Sequence, residues 1–207
     1  MKGRSLRFVT LDRFPSIPPV HENGSTFRAN AVKKAVQTSR HTILPVIAED
    51  SGLEVRALGG RPGVRSARFA PRHTQGERTP DQIDRANVAK LLRLLARVPA
   101  SRRQAGFVCV MALAAGGRLI KTFEGSCRGS IAFEEKGQGG FGYDPVFIPQ
   151  GHHRTTAQMS ASKKDLLSHR AQAAAKLSPA IFRYINYSQR DRYRSAVPSR
   201  ARIADSP

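Results

Sequence analysis

Two runs of strand-forming residues, Ala105 to Ala114 and Arg118 to Cys127, flank a bare Gly116-Gly117 pair. Few local signals restrict a chain more. Two adjacent glycines supply the positive φ angles of a two-residue turn, so the runs must fold back on each other as an antiparallel hairpin. The chain therefore contains a sheet, and the helical periodicities on either side must pack against it.

Upstream, Phe27, Ala31 and Ala35 recur at helical spacing behind a Ser25-Thr26 cap, and Lys33 and Lys34 ride on that helix. Asp81 to Ala96 predicts a second helix, with Ile83, Ala86, Val88, Leu91, Leu92, Leu94 and Leu95 on its apolar face and Asp81 and Asp84 in its first turn, where the dipole favours them. Asp165 to about Tyr184 predicts a third, built on Leu166, Leu167, Ala171, Ala174, Leu177 and Ile181. Shorter strands are expected at Leu6 to Leu11, Ile43 to Ala48, Ser130 to Phe133 and Val146 to Ile148, and a helical turn at Ser66 to Phe69. Strands alternating with helices make this an α/β chain.

The 207 residues suit one domain with a full core. Residues 1–185 are read as that domain, and 186–207, polar and rich in Arg, as a disordered tail. No apolar run has the length of a membrane span, and no signal-peptide core opens the chain. Cys109 and Cys127 lack metal-ligand spacing and read as reduced thiols of a cytoplasmic protein. With 35 Lys and Arg against 15 Asp and Glu, the net charge of +20 attracts phosphates, nucleotides or nucleic acid without choosing among them. An Arg-biased solvated surface accounts for it equally well.

Three segments carry chemistry. The apolar run through Ile47-Ala48 ends in Glu49-Asp50-Ser51-Gly52. Adjacent carboxylates repel, and either a bound cation or a turn they cap can compensate them. Gly137 to Gly142 holds four glycines and leads into Tyr143-Asp144-Pro145. Such a loop lets backbone N–H groups approach a ligand and offers an aromatic face for a base, although a plain structural loop has the same composition. Lys163-Lys164 and His169-Arg170 cluster at the start of the last helix, where Lys suits a phosphate and Arg an oxygen acceptor.

Taken together, AEDSGLEVRALGGRPGVRSARF, GGFGYDPVF and KKDLLSHRAQA, with NGSTFRANAVKKA, DQIDRANVAKLL and RRQAGFVCVMAL, closely resemble the inosine triphosphate pyrophosphatase family over about Leu6 to Tyr184. The resemblance implies an α/β fold with a long twisted mixed sheet flanked by helices, and a nucleotide cleft between two lobes. It implies Mg²⁺-dependent hydrolysis of ITP, dITP and XTP to the monophosphate and pyrophosphate, in a homodimer. Asp50 matches the catalytic and metal-binding acid, with Glu49 and Glu22 as further metal candidates. Ser51, Phe141, Gly142, Tyr143, Asp144 and Lys164 match substrate-binding positions. His169 and Arg170 match the pair that reads the 6-oxo edge of the purine, as cationic donors that select against ATP.

The family's opening strand and Thr-x-Asn-x-x-Lys phosphate loop have no counterpart here, since LRFVTLDRFPSIPP aligns with the second strand. His21 stands where the family's metal-binding Glu is expected, with Glu22 beside it, and the helical Glu-Asn-Ala is Ala29-Asn30-Ala31. A start site placed too far downstream accounts for the short N-terminus. The alternative is a catalytically weak homologue that binds nucleotides or RNA.

Overall fold

The computed structural model describes residues 6–71 and 79–196, with side chains as far as Tyr187. Its centre is the expected hairpin. Strands β2 (Gln104–Ala115) and β3 (Arg118–Ile131) join through Gly116 and Gly117 at φ 54° and 76°, the left-handed pair that a tight two-residue turn demands. Strand β1 (Val46–Val55) lies antiparallel to β2, and the short β4 (Phe147–Pro149) antiparallel to β3, giving the order β1-β2-β3-β4. β3 runs unbroken to Ile131, so Ser130 belongs to it and starts no separate strand.

A mixed sheet is expected; among the described residues every pairing is antiparallel instead. The strand expected at Leu6 to Leu11 does not form either. Leu6 to Thr10 has no ladder partner, and Leu11–Arg13 closes into a 3-10 turn. A run that pairs with no strand leaves its backbone groups to solvent, whatever its strand propensity. Phe8, Val9 and Leu11 are accordingly exposed, and the segment borders a cavity of about 480 Å³ that Pro45 to Ala48, Leu113 and Ile181 also line.

Among the described residues, three helices pack against this sheet. Helix α1 (Phe27–Thr38) is capped by Thr26, whose Oγ1 accepts from the Ala29 N–H at 3.0 Å. Its Phe27, Ala31 and Ala35 pack on Val110, Ala112 and Ala114 of β2. The alternate residue Leu113 faces the other way, joining Phe123 against Leu177 and Ile181 of helix α4 (His169–Ala196). Helix α2 (Pro80–Leu94) opens on a Thr79–Gln82 capping box with Pro80 in its first turn. It places Val88 and Leu91 in a third cluster with Leu53, Val55, Tyr143, Val146 and Phe147.

Helix α3 (Ala161–Leu167) is separate from α4, which divides the single helix expected over Asp165 to Tyr184. Ser168 leaves helical geometry at ψ 128°, and its Oγ accepts from the Arg170 and Ala171 N–H groups at 3.2 and 3.4 Å. A side-chain cap has replaced one turn of backbone bonding, and Leu166, counted in the apolar set, ends up 83% exposed. At its far end α4 reaches Ala196, past the boundary at 185; residues 197–207 of the expected tail lie outside the described residues. Neither cysteine forms a disulfide, and among the described residues no helix is long and apolar enough to cross a membrane.

Candidate active site

Glu49 pairs with Met111 and Asp50 with Val110 across the β1–β2 ladder. Residues opposite one another share a face, so the two carboxylates point to opposite sides of the sheet. Asp50 looks toward α1, and Glu49 toward α4. The expected side-by-side pair is therefore two half-sites divided by one strand.

On the α1 side, Asp50 Oδ2 accepts from Asn30 Nδ2 at 2.9 Å. Asn30 is buried, and its Oδ1 in turn accepts from the Gly24 N–H at 2.7 Å, which fixes which end of the amide faces the acid. Lys34 Nζ lies between two carboxylates, 3.1 Å from Glu22 Oε2 and 3.6 Å from Asp50 Oδ1. Lys33 holds Asn23 Oδ1 at 2.7 Å. Positions 30, 33 and 34 occupy one helical face, so a single helix clamps both the acid and the Glu22–Gly24 loop. Burial pushes the Asp50 carboxyl above the usual carboxylate range, with the Glu22 charge adding to it. The Asn30 bond, Lys34 and the Ser51 N–H oppose that shift.

On the α4 side, Arg170 Nε donates to Glu49 Oε1 and Oε2 at 2.9 and 3.2 Å, and its terminal nitrogen to Ser51 Oγ at 2.9 Å. Glu49 is thus spoken for by Arg170 and stands away from the Glu22–Asp50 pair, against its expected place among the metal ligands. Cys109 Sγ donates to Glu49 Oε2 at 3.3 Å. Burial, and after it the Glu49 charge, pushes that thiol up to about 12.

His169 stacks on Phe107 with ring centroids 5.0 Å apart and planes 10° from parallel. Burial, followed by the Arg170 charge, pushes its pKa down to about 4. The expectation of two cationic donors is corrected to one: Arg170 carries the charge, and His169 is a neutral imidazole at pH 7.

The glycine-rich loop between β3 and β4 completes the region. Phe141 is 62% exposed, with Lys164 Nζ and the Arg170 guanidinium 4.7 and 5.7 Å from its ring centre. Tyr143 and Asp144 are interior instead. The Tyr143 hydroxyl donates to the Ser66 carbonyl at 2.9 Å. Asp144 is paired with Lys164 and accepts from Thr156 Oγ1 and the Phe141 N–H, both at 2.9 Å. The Gly142 N–H is taken by Asp84 Oδ2 at 2.6 Å. Two of the loop N–H groups expected to approach a ligand are therefore engaged by carboxylates of the protein itself.

Sequence reasoning gave no site role to Asn30, Lys34, Asp84 and Phe107, which the structure places in contact with Asp50, Gly142 and His169. The helical spacing of 30, 33 and 34 was legible, but nothing local said that this face would meet Asp50.

A family model for the Ham1 family matches residues 1–180. A dITP/XTP pyrophosphatase of Geobacillus kaustophilus (strain HTA426) is 49% identical over 174 residues, 84% of this chain and 81% of that protein. Among solved structures, the Staphylococcus aureus Ham1 protein superposes with a TM-score of 0.74 at 38% identity, covering 84% of this chain and 85% of its own. A nucleoside-triphosphatase / dITP/XTP pyrophosphatase from Mycobacterium abscessus ATCC 19977 / DSM 44196 reaches a TM-score of 0.69 at 42% identity, with 86% of each chain covered. The acid on β1, the loop around Phe141 and the Lys164–Arg170 segment all fall within the matched residues, and the chain belongs to the Ham1 family.

Proposed function

We propose that this protein hydrolyses non-canonical purine nucleoside triphosphates (ITP, dITP and XTP) to the monophosphate and pyrophosphate, removing deaminated purines from the nucleotide pool. One observation carries the proposal. Within three consecutive residues, β1 offers an acid of raised pKa beside Lys34 on one face and anchors Arg170 through Glu49 and Ser51 on the other. β1 is the edge strand of the described sheet, so a nucleotide lying across that edge reaches both faces.

In this reading Asp50 is the general base. It takes a proton from water as the water oxygen bonds to the α-phosphorus and the bridging P–O bond to the β-phosphate breaks, releasing pyrophosphate. A carboxylate whose pKa burial has raised is a stronger base than a free one. Lys34, held between the acids, is placed to meet phosphate oxygens as a point charge.

Asp50 and Glu22 aim carboxylate oxygens at a common cation, presently the Lys34 ammonium, and this donor set fits Mg²⁺. That ion accepts one or two carboxylates and completes its shell with substrate phosphates and water. When bound, Mg²⁺ neutralises phosphate charge that builds up during the displacement.

Base selection falls to Phe141, Lys164, His169 and Arg170. Hypoxanthine and xanthine present a 6-oxo acceptor where adenine presents an amino donor. A guanidinium has only donors to offer, so adenine would leave a donor facing a donor. A homodimer and a cytoplasmic location belong to the same proposal on the family resemblance alone; light scattering of the purified protein checks the first.

The test is pyrophosphate release with Mg²⁺ from dITP and dATP, in wild type and Asp50→Asn. Preferential, Asp50-dependent release from dITP supports the proposal. No release from either nucleotide, or equal release by the variant, sinks it. Salt-sensitive RNA binding that survives Asp50→Asn in an inactive protein would favour the binding-protein alternative.

A further inference from the structure

Helix α2 lies outside the expected catalytic groups, yet it grips the walls of the base site at two points one turn apart. Asn87, buried, accepts from the Ala70 N–H at 2.7 Å and donates to the Ala67 carbonyl at 3.3 Å. Asp84, three residues earlier and so on the same face, accepts from the Gly142 N–H at 2.6 Å. A third bond closes the triangle: the Tyr143 hydroxyl reaches the carbonyl of Ser66, next to the segment Asn87 holds. α2, the 63–70 turn and the glycine-rich loop are thus tied pairwise.

The loop needs such a tie. Gly137, Gly140 and Gly142 all sit at positive φ, between 60° and 86°, and glycine backbone loses more freedom on ordering than any other. Phe141, whose ring is exposed for a base to stack on, lies between Gly140 and Gly142. Its own N–H is held from within the loop by Asp144, and the next N–H is held from outside by Asp84. Among the described residues Arg85 does not neutralise Asp84, since it pairs with Asp81 at 3.0 Å, and a carboxylate acceptor strengthens the bond from the Gly142 N–H.

We infer that Asp84 is a positioning residue for base recognition: through the Gly142 N–H it holds the Phe141 ring at the distance where Lys164 and Arg170 also meet the purine. The inference rests on the proposed nucleotide chemistry. It makes Asp84 a determinant of selectivity that touches neither phosphate nor base.

The experiment compares Asp84→Ala and Asp84→Asn with wild type in two independent measurements. In steady-state hydrolysis, Asp84→Ala should raise KM for dITP about tenfold and cut the dITP-to-dATP preference by a similar factor, with kcat within about twofold, as loss of one charge-assisted bond predicts. Asp84→Asn retains an acceptor oxygen and should restore most of both. In hydrogen–deuterium exchange of the free protein, amides of 137–144 should exchange faster in Asp84→Ala, and to a lesser degree in Asp84→Asn, with β2 unchanged.

Unchanged exchange in this loop overturns the inference, even if wild type hydrolyses nothing and the functional proposal fails with it. An active wild type with an Asp84→Ala variant of normal KM and preference also overturns it. So does a variant that loses melting temperature and kcat alike on both nucleotides without a change in preference, because that marks a merely structural acid. Should Asp84→Ala not fold, the exchange of Asp84→Asn alone decides.

Discussion

Asp50 and Glu49 are covalent neighbours whose carboxylates serve opposite faces of one strand. Asp50 Oδ2 is 2.9 Å from Asn30 Nδ2 of α1, and Glu49 Oε1 is 2.9 Å from Arg170 Nε of α4. The alternation of a β-strand thus separates the acid from the anchor of the base-reading arginine by a single residue. Four outcomes follow from this separation and from the groups around it.

Asp50→Asn should abolish most pyrophosphate release, by roughly 10²-fold or more, the usual loss for a general base. It should also stabilise the fold at neutral pH. A carboxyl whose pKa is raised on folding, here chiefly by burial, contributes fully below its unfolded value of 3.8 and loses that contribution as pH rises through the folded value. The variant's gain in melting temperature should therefore be present at pH 7 and vanish toward pH 3.8. A variant less stable than wild type at neutral pH would contradict this account.

His169 predicts the opposite slope. Its pKa falls from 6.5 to about 4 on folding, so between those values the unfolded chain binds the extra proton. Stability contributed by the neutral ring is complete above pH 6.5 and is lost as pH falls toward about 4. Urea unfolding of wild type and His169→Gln across this window should show a wild-type decline that the variant lacks. Parallel curves would mean that the ring titrates normally.

Glu49→Gln and Glu49→Ala should act on the base rather than on the chemistry. Gln keeps an acceptor for Arg170 Nε and Ala keeps none, so preference for dITP over dATP should fall in the order wild type, Gln, Ala, reaching about tenfold for Ala. kcat for dITP should move far less. If kcat collapses in Glu49→Gln as it does in Asp50→Asn, then Glu49 acts with Asp50 in the chemistry and the division between faces is wrong.

Gly52→Ala probes how β1 is seated. A methyl there would meet the Gly63 carbonyl at 2.7 Å and Ser66 Cβ at 2.9 Å, and would crowd the Ser66 hydroxyl that accepts from the Leu53 N–H. Overpacking of this kind costs about 1–3 kcal/mol, and a displaced Ser66 also strands a buried N–H. Chemical denaturation should show a loss of that size. A loss below about 0.5 kcal/mol would show that the 63–68 turn yields easily.

Much of the architecture was legible because its causes are local. Gly116-Gly117 can do little but turn, and the Thr26 cap stands directly before Phe27, the first residue of its helix. The helix break at Ser168 and the failure of Leu6 to Leu11 to join the sheet were not legible. The first is a competition of a hydroxyl against a backbone carbonyl, and the second depends on whether a strand-like run meets a partner strand, which among the described residues it does not. Local propensity does not decide such contests.

The same division runs through the site. By itself the sequence determined that an apolar run leads into Glu49-Asp50-Ser51, that a glycine-rich loop carries Phe141, and that basic residues gather from Lys163 to Arg170, since composition and spacing are properties of the chain; that the strand continues through the acids to Val55 was not legible. Only the tertiary structure decided which carboxylate meets which cation. The β1–β2 register sends Asp50 to Lys34 and Glu49 to Arg170, and burial makes His169 neutral. Register and burial arise from elements far apart in sequence, and a pKa depends on what those elements place nearby.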